Sequence, residues 1–203
     1  TNRVIATTTA GNRTESVLDY KHRAIEQKVF PNSLVTLTSR TVFDDADNVL
    51  YSEDPYGRRS YPVYDELYYT PKTIVETVPD AVTSDLGLPS GSTPTQAQLA
   101  TLIRDNSPNA KYLITESEWD DDRQLTASID ARGLRSEYDY DFQGRTIRTR
   151  MAVGTPDPIQ TESIYDAQGN VIESRNPRYF SESNTGHRTT YTYTGRNLTK
   201  TVT

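Results

Sequence analysis

The chain has 203 residues of which 33% are hydrophobic, against roughly 45–50% in an ordinary globular domain, and this excludes a thick conventional core. Tyr occurs 14 times where Trp and Met occur once each, and Thr is abundant; both fit half-buried pleated surfaces and point to sheet. The 22 basic and 28 acidic residues give a net charge of −6 with the basic ones spread along the chain, which argues against a nucleic-acid partner, and the lack of Cys removes disulfides, thiolate metal sites and a Cys nucleophile.

No apolar run approaches the ~20 residues that span a bilayer, so membrane insertion is not expected, and no charged-then-apolar start reads as a signal peptide. The chain begins Thr1-Asn2-Arg3 without Met and is expected to be a mature chain or an excerpt of a longer one.

From the N-terminus two turn signatures alternate. Gly11-Asn12-Arg13-Thr14 is the first of the form Gly-x-Arg-Ser/Thr, and Leu18-Asp19 with His22-Arg23 is a degenerate copy of the second form, aromatic-Asp-x-x-Gly-Arg/Asn. Phe43-Asp44-Asp45-Ala46-Asp47-Asn48 follows, then Asp54-Pro55-Tyr56-Gly57 running into Gly57-Arg58-Arg59-Ser60. Residues 79–112 interrupt the series, because Pro79, Gly87, Pro89, Gly91 and Pro94 break any strand pattern. Within this insertion Thr93 is placed to cap and Pro94 to start a short helix over 94–105, with Leu99, Leu102 and Ile103 as its apolar stripe. Such a helix is expected to cover a sheet edge.

The series resumes at Trp119-Asp120-Asp121-Asp122-Arg123-Gln124, Asp130-Ala131-Arg132-Gly133 and Gly133-Leu134-Arg135-Ser136. Two complete copies follow, Tyr140-Asp141-Phe142-Gln143-Gly144-Arg145 and Tyr165-Asp166-Ala167-Gln168-Gly169-Asn170, and then Gly186-His187-Arg188-Thr189 and Tyr193 with Asn197. Seven residues separate Gly11, Gly57, Gly133 and Gly186 from positions 18, 64, 140 and 193, and fourteen separate Phe43, Trp119 and Tyr140 from Gly57, Gly133 and Gly154. The unit is therefore 21 residues, with about seven extra near 178–184.

Asp at the first turn position accepts backbone hydrogen bonds, and Gly at the fourth tolerates the left-handed conformation that ends a type I hairpin turn. The stretches between turns alternate with period two: Leu134, Ser136, Tyr138 and Tyr140 share one face, and Arg135, Glu137 and Asp139 the other. The fold class is all-β, with repeated antiparallel hairpins and one short helix in the insertion. Two registers are open for the hairpin at 140–145. A four-residue loop pairs Tyr140 with Arg145 and sets Glu137 beside Arg148, whereas a three-residue loop with a glycine bulge sets Tyr138 opposite Arg148. The first is favoured because it keeps apolar faces and opposite charges together.

Tyr-Asp-x-x-Gly-Arg followed by Gly-x-Arg-Thr-x-Tyr-x-Tyr resembles the YD repeat of the Rhs/YD-repeat superfamily, which includes bacterial Rhs proteins, the B/C subunits of insecticidal toxin complexes and the teneurins. The resemblance covers about 1–78 and 113–203, the whole chain forming one YD-repeat β segment with the insertion. It implies a curved, spiralling sheet, part of a hollow shell that in bacterial members encloses a C-terminal toxin. The expected function is a non-catalytic structural segment of such a shell in a larger secreted or cell-surface protein. The expected partners are neighbouring repeats of a longer chain and an enclosed polypeptide cargo. Gly is replaced at His22, Asp47, Arg123 and Asn197, of which His22 and Arg123 tolerate positive φ less readily, so those turns are expected to differ in type.

Other chemistry is poorly provided for. His22 and His187 are the only histidines, both beside turns, and no nucleophile elbow or paired-His zinc motif is present. The clusters Asp44-Asp45-Ala46-Asp47 and Asp120-Asp121-Asp122 lack the spacing of a calcium loop and read as solvated turn acids, so neither a metal nor a cofactor is expected. Tyr56, Tyr61, Tyr64, Tyr68 and Tyr69 are the densest aromatic group and support the alternative reading, a carbohydrate or adhesion module that stacks glycans on a tyrosine-rich face. Tyrosines recurring with the repeat are otherwise explained by cross-strand packing with the hydroxyl in water. Asp85-Leu86-Gly87-Leu88 only faintly resembles the element that closes the core of Rhs proteins. Asn12-Arg13-Thr14 and Asn197-Leu198-Thr199 match a glycosylation acceptor, relevant only to a secreted eukaryotic chain.

Overall fold

A computed structural model describes residues 2–7, 13–32, 34–66, 69–183, 185–195 and 199–203. Gly11, Asn12, Tyr68 and Asn197, named above, lie outside the described residues. The chain divides into two compact units, Thr1–Thr115 and Glu116–Thr203.

The first unit holds β1 (Asn2–Thr7), β2 (Arg13–Leu18), β3 (Ala24–Asn32), β4 (Val35–Phe43), β5 (Val49–Glu53), β6 (Arg59–Val63) and β7 (Lys72–Glu76). It continues with α1 (Ala81–Asp85), α2 (Gln96–Thr101) and the first half of β8 (Tyr112–Trp119). The second unit holds the rest of β8, then β9 (Leu125–Ile129), β10 (Arg135–Tyr140), β11 (Thr146–Val153), β12 (Ile159–Tyr165) and β13 (Val171–Arg175). It ends with α3 (Pro177–Ser181), β14 (Arg188–Tyr193) and β15 (Thr199–Val202). Strands follow chain order and pair antiparallel with their chain neighbours, as the alternation of turn signatures requires.

The hairpin register differs from the one favoured on sequence grounds. The Asp141 N–H donates to the Arg145 carbonyl at 3.0 Å and the Gly144 N–H to the Asp141 carbonyl at 3.0 Å, so the loop is three residues long and Tyr140 faces Thr146. One residue further on the ladder slips again: Asp139 faces Arg148, Tyr138 faces Thr149 and Glu137 faces Arg150, leaving Ile147 as the extra residue of a β-bulge. The loop length is thus that of the second register, but Tyr138 does not face Arg148 as that register requires. The slip has a physical reason, because a single step reverses the faces of a strand. With the bulge the acids of β10 lie beside arginines of β11; without it Asp139 would face Ile147.

The same bulge recurs at every described aromatic-Asp turn. Leu18 faces Ala24 and Val17 faces Glu26, Phe43 faces Val49 and Val42 faces Tyr51, Trp119 faces Leu125 and Glu118 faces Ala127. Tyr165 with Val171 and Tyr193 with Thr199 repeat it. The turns at His22, Asp47 and Arg123 do not differ in type, against expectation: their φ angles are 64°, 72° and 66°, close to the 76° of Gly144. Fixation of both flanks by the Asp side chain outweighs the modest cost of a side chain at positive φ.

A buried apolar cluster forms where the insertion lies on the sheet. Tyr61 and Val63 of β6, Ile74 of β7, and Tyr112 and Ile114 of β8 pack against Ala81, Val82, Leu99 and Leu102. The insertion therefore covers a sheet face, not an edge. Its helix is shorter than the expected 94–105 and starts later: Thr95, not Thr93, is the cap and forms a capping box with Gln98. Leu102 is already extended (φ −66°, ψ 134°), which sends Ile103 out to 80% exposure instead of into the apolar stripe. Two further helical turns were not expected. In α1 the side chain of the N-cap residue Asp80 makes no capping bond, and the Glu76 carboxylate accepts the Val82 N–H at 2.9 Å instead. In α3 Asn176 caps and Pro177 occupies the first turn, which accounts for the extra residues near 178–184. In the second unit only Ala127 is buried among the described apolar residues.

Candidate functional site

The row of aromatic-Asp turns is the most regular construction in the chain. In each turn one carboxylate oxygen accepts two backbone N–H groups: Asp19 from Lys21 and Arg23, Asp44 from Ala46 and Asn48, Asp141 from Gln143 and Arg145, Asp166 from Gln168 and Asn170. Asp54, Asp120 and Asp130 do the same in their turns. The second oxygen takes the side chain that follows the left-handed residue, Arg23 Nε at 2.7 Å, Arg58 Nε at 2.7 Å, Arg145 Nε at 2.6 Å, or the amides of Asn48 and Asn170 at 2.9 Å. This explains why Arg or Asn closes the signature.

These contacts lower the pKa of several of the turn carboxyls. The Asn48 amide holds Asp44, and the Asn170 amide holds Asp166, below the usual carboxylate range. Around Asp141, desolvation works the other way, but the Arg145 guanidinium outweighs it and the group is also held low.

The same arginines reach the next repeat. The Arg23 guanidinium lies 4.5 Å from the Phe43 ring centre and donates to the Asp44 carbonyl at 3.3 Å; Arg145 lies 4.5 Å from the Tyr165 ring and donates to the Asp166 carbonyl at 3.3 Å. Tyrosines reach back. The hydroxyls of Tyr64, Tyr140, Tyr165 and Tyr193 donate to the carbonyls of Val49, Leu125, Thr146 and Val171 at 3.2, 2.9, 3.1 and 2.7 Å. Each acceptor is the residue that faces the preceding aromatic just before the bulge, so the bulge sets the point at which the next repeat is gripped. The expectation that these hydroxyls stay in water is corrected accordingly.

A second construction was largely missed in the sequence. In the first unit Arg40 bridges Glu26 and Glu53 at 3.3 and 3.5 Å, and Arg59 pairs with Glu53 at 3.0 Å. In the second unit Arg135 binds both oxygens of Glu118 at 2.6 and 2.8 Å and reaches Glu137 at 2.9 Å across the buried Ala127. Arg150 then joins Glu137 and Asp139, Arg148 joins Asp139 and Glu162, and Arg175 joins Glu162 and Glu173. Arg13, Arg59, Arg135 and Arg188 are the arginines of the Gly-x-Arg signature; Arg13 pairs with Glu15, and Arg188 lies 3.6 Å from Glu173. The period-two alternation of charges was the available signal; their partners depended on the bulge.

Gly57, Gly133, Gly144 and Gly169 occupy the left-handed positions of their turns, with φ of 78°, 86°, 76° and 91°, while Gly186 lies in the turn before β14. Of the five tyrosines of the expected stacking group, Tyr68 lies outside the described residues, and the other four differ in exposure. Tyr61 is fully buried in the apolar cluster and packs on Tyr51 with ring centres 5.9 Å apart, and burial pushes its hydroxyl up to about 12. Tyr64 and Tyr69 are half-buried, and Tyr56 is exposed with Arg58 over its ring. His22 sits at the left-handed turn position, and His187 pairs with Glu182 at 3.0 Å. Of the acidic clusters, Asp44 and Asp120 anchor turns and Asp47 pairs with Lys21 and Arg23. No described helix is long and apolar enough to cross a membrane.

Comparison with protein-family models and with curated protein sequences gives no match. Solved structures do match. The crystal structure of TcdB2-TccC3-Cdc42 has a TM-score of 0.64 at 12% identity over 98% of this chain and 9% of that one. That of TcdB2-TccC3 without its hypervariable C-terminal region gives 0.63 at 12% identity, again over 98% and 9%. The Photorhabdus luminescens Tc holotoxin pore structure gives 0.53 at 13% identity over 98% and 10%. The chain shares the fold of the matched stretches of these toxin-complex structures, a repeated-hairpin sheet as the turn signatures led one to expect. The chain spans about a tenth of the length of those chains.

Proposed function

We propose that the chain is a non-catalytic stretch of wall in a larger exported or cell-surface protein, and that the completed wall encloses a polypeptide cargo. The observation that carries this reading is the recurrent staple, in which a turn is fixed by its own Asp and, at Phe43, Trp119, Tyr140 and Tyr165, is also gripped by the Arg or Tyr of a neighbouring repeat. Such a unit adds to the next without needing a central core, which suits a thin shell and agrees with the low hydrophobic content. The likeness of nearly the whole chain to a tenth of a toxin-complex chain supports the same reading.

The wall works by mechanics and surface chemistry. Lateral hairpin pairing satisfies the backbone, and arginines matched to acids within each unit leave few charges free to bind an unfolded chain. In the full-length parent protein, the segment that follows the repeats is expected to resist protease while the shell is intact and to be digested once mild denaturant opens it. Digestion at the same rate in both conditions would overturn the enclosure.

A further inference from the structure

Turns of the same construction differ at their last position. Arg23 and Arg145 close the turns that precede Phe43 and Tyr165, and each guanidinium makes the same set of contacts. Nε binds the outer oxygen of the turn's own Asp at 2.7 or 2.6 Å, Nη1 binds the next turn's Asp carbonyl at 3.3 Å, and the plane lies 4.5 Å from the next aromatic ring. The turn that precedes Tyr140 carries Gln124 at this position. Gln124 Nε2 lies 3.6 Å from the place a Cβ of Gly144 would take, as Arg145 Nη1 lies 3.5 Å from that of Gly169, so Gln124 reaches the same place but brings no charge. Asp120 uses Oδ1 for the N–H groups of Asp122 and Gln124, and its Oδ2 receives no donor among the described residues. The Tyr140 ring has no cation over it among the described residues, and the Asp141 carbonyl accepts from Gly144 alone, as the Asp166 carbonyl does from Gly169 apart from Arg145.

The space in question is a cleft of about 430 Å³ lined by Asp120, Asp122, Gln124, Tyr138, Tyr140 and Phe142. Phe142 is 93% exposed at its rim, no arginine or lysine lines it, and Asp139, which also lines it, is paired with Arg148 and Arg150. We propose that this cleft binds an arginine side chain of a partner polypeptide, which takes the place that Arg23 and Arg145 fill from within the chain. The two occupied repeats identify the ligand as a guanidinium. Its planar fork serves a ring face and two oxygens at once, which an ammonium cannot do, and Asp120 and Asp122 supply the complementary charge. This inference goes beyond the shell reading and does not depend on it.

The test uses the 203-residue chain and a short peptide, acetyl-Gly-Ser-Arg-Ser-Gly-amide, with its lysine counterpart. Amide resonances of Asp141 and Phe142 are expected to shift saturably with the arginine peptide and about tenfold more weakly with the lysine one. Gln124→Arg, which supplies the guanidinium internally, is expected to abolish the shifts and to raise the unfolding temperature. Equal response to both peptides, no response in the millimolar range, or undiminished binding to a folded Gln124→Arg variant would overturn the proposal. The two wild-type titrations decide it even if that variant does not fold.

Discussion

Tyr61→Ala is expected to destabilise the first unit by about 3–5 kcal/mol, the cost of truncating a large aromatic side chain in a core that cannot collapse around the void. The ring is fully buried and sits at the middle of the cluster in which the insertion meets β6, β7 and β8. Because the chain has so little apolar material elsewhere, few other contacts can compensate. Tyr56→Ala, five residues away at an exposed turn, should change stability by no more than about 0.5 kcal/mol. Urea unfolding of the two variants checks the pair. Equal, small effects would show that the insertion does not pack on the sheet.

The second large effect is acid lability. Besides Asp44, Asp166 and Asp141, the Leu134 N–H holds Asp130 below the usual range, the Lys28 ammonium holds Glu26 there, and the Arg135 guanidinium holds Glu118. The Ser90 hydroxyl does so for Asp80. At Asp19, Asp54 and Glu162 desolvation works the other way, but Arg23, Arg58 and Arg148 outweigh it. Each folded-state value lies below the unfolded one of about 4, so each contribution is complete above that pH and is lost as pH falls through the folded value. Glu76 runs in the opposite sense. Burial raises its value, partly offset by the Val82 N–H, so its cost is present at neutral pH and is relieved by protonation. One group of that kind does not balance the rest. The urea midpoint is expected to fall steadily below about pH 5; a midpoint that holds or rises to pH 3 would contradict the turn chemistry.

What could be read in the sequence was whatever is decided within a few residues. Asp141 and Gly144 define their turn by their own bonds, so the turns, the 21-residue unit and the hairpin meander were all legible, and the meander led to the fold. The register was not, because the bulge at Ile147 is decided jointly by two strands, and the four-residue loop looked better for charge pairing until the extra residue was known. The helix α1 escaped notice because its N-terminus is satisfied by Glu76, a residue of a strand. Ile103 was assigned to an apolar stripe that ends one residue earlier, at Leu102. Tyr61 looked like part of an exposed aromatic group, and the insertion that buries it arrives some twenty residues later in the chain.

The central claim is that neighbouring repeats are coupled through the arginine and tyrosine staples, so that the sheet is stabilised unit by unit. Hydrogen exchange of Arg145→Ala, followed residue by residue, tests it most directly. Exchange is predicted to quicken both in its own turn, 140–146, and in the following turn, 165–170, which Arg145 reaches through Tyr165 and the Asp166 carbonyl, with 13–43 unchanged. Faster exchange confined to 140–146 would contradict the coupling and leave a row of independent hairpins.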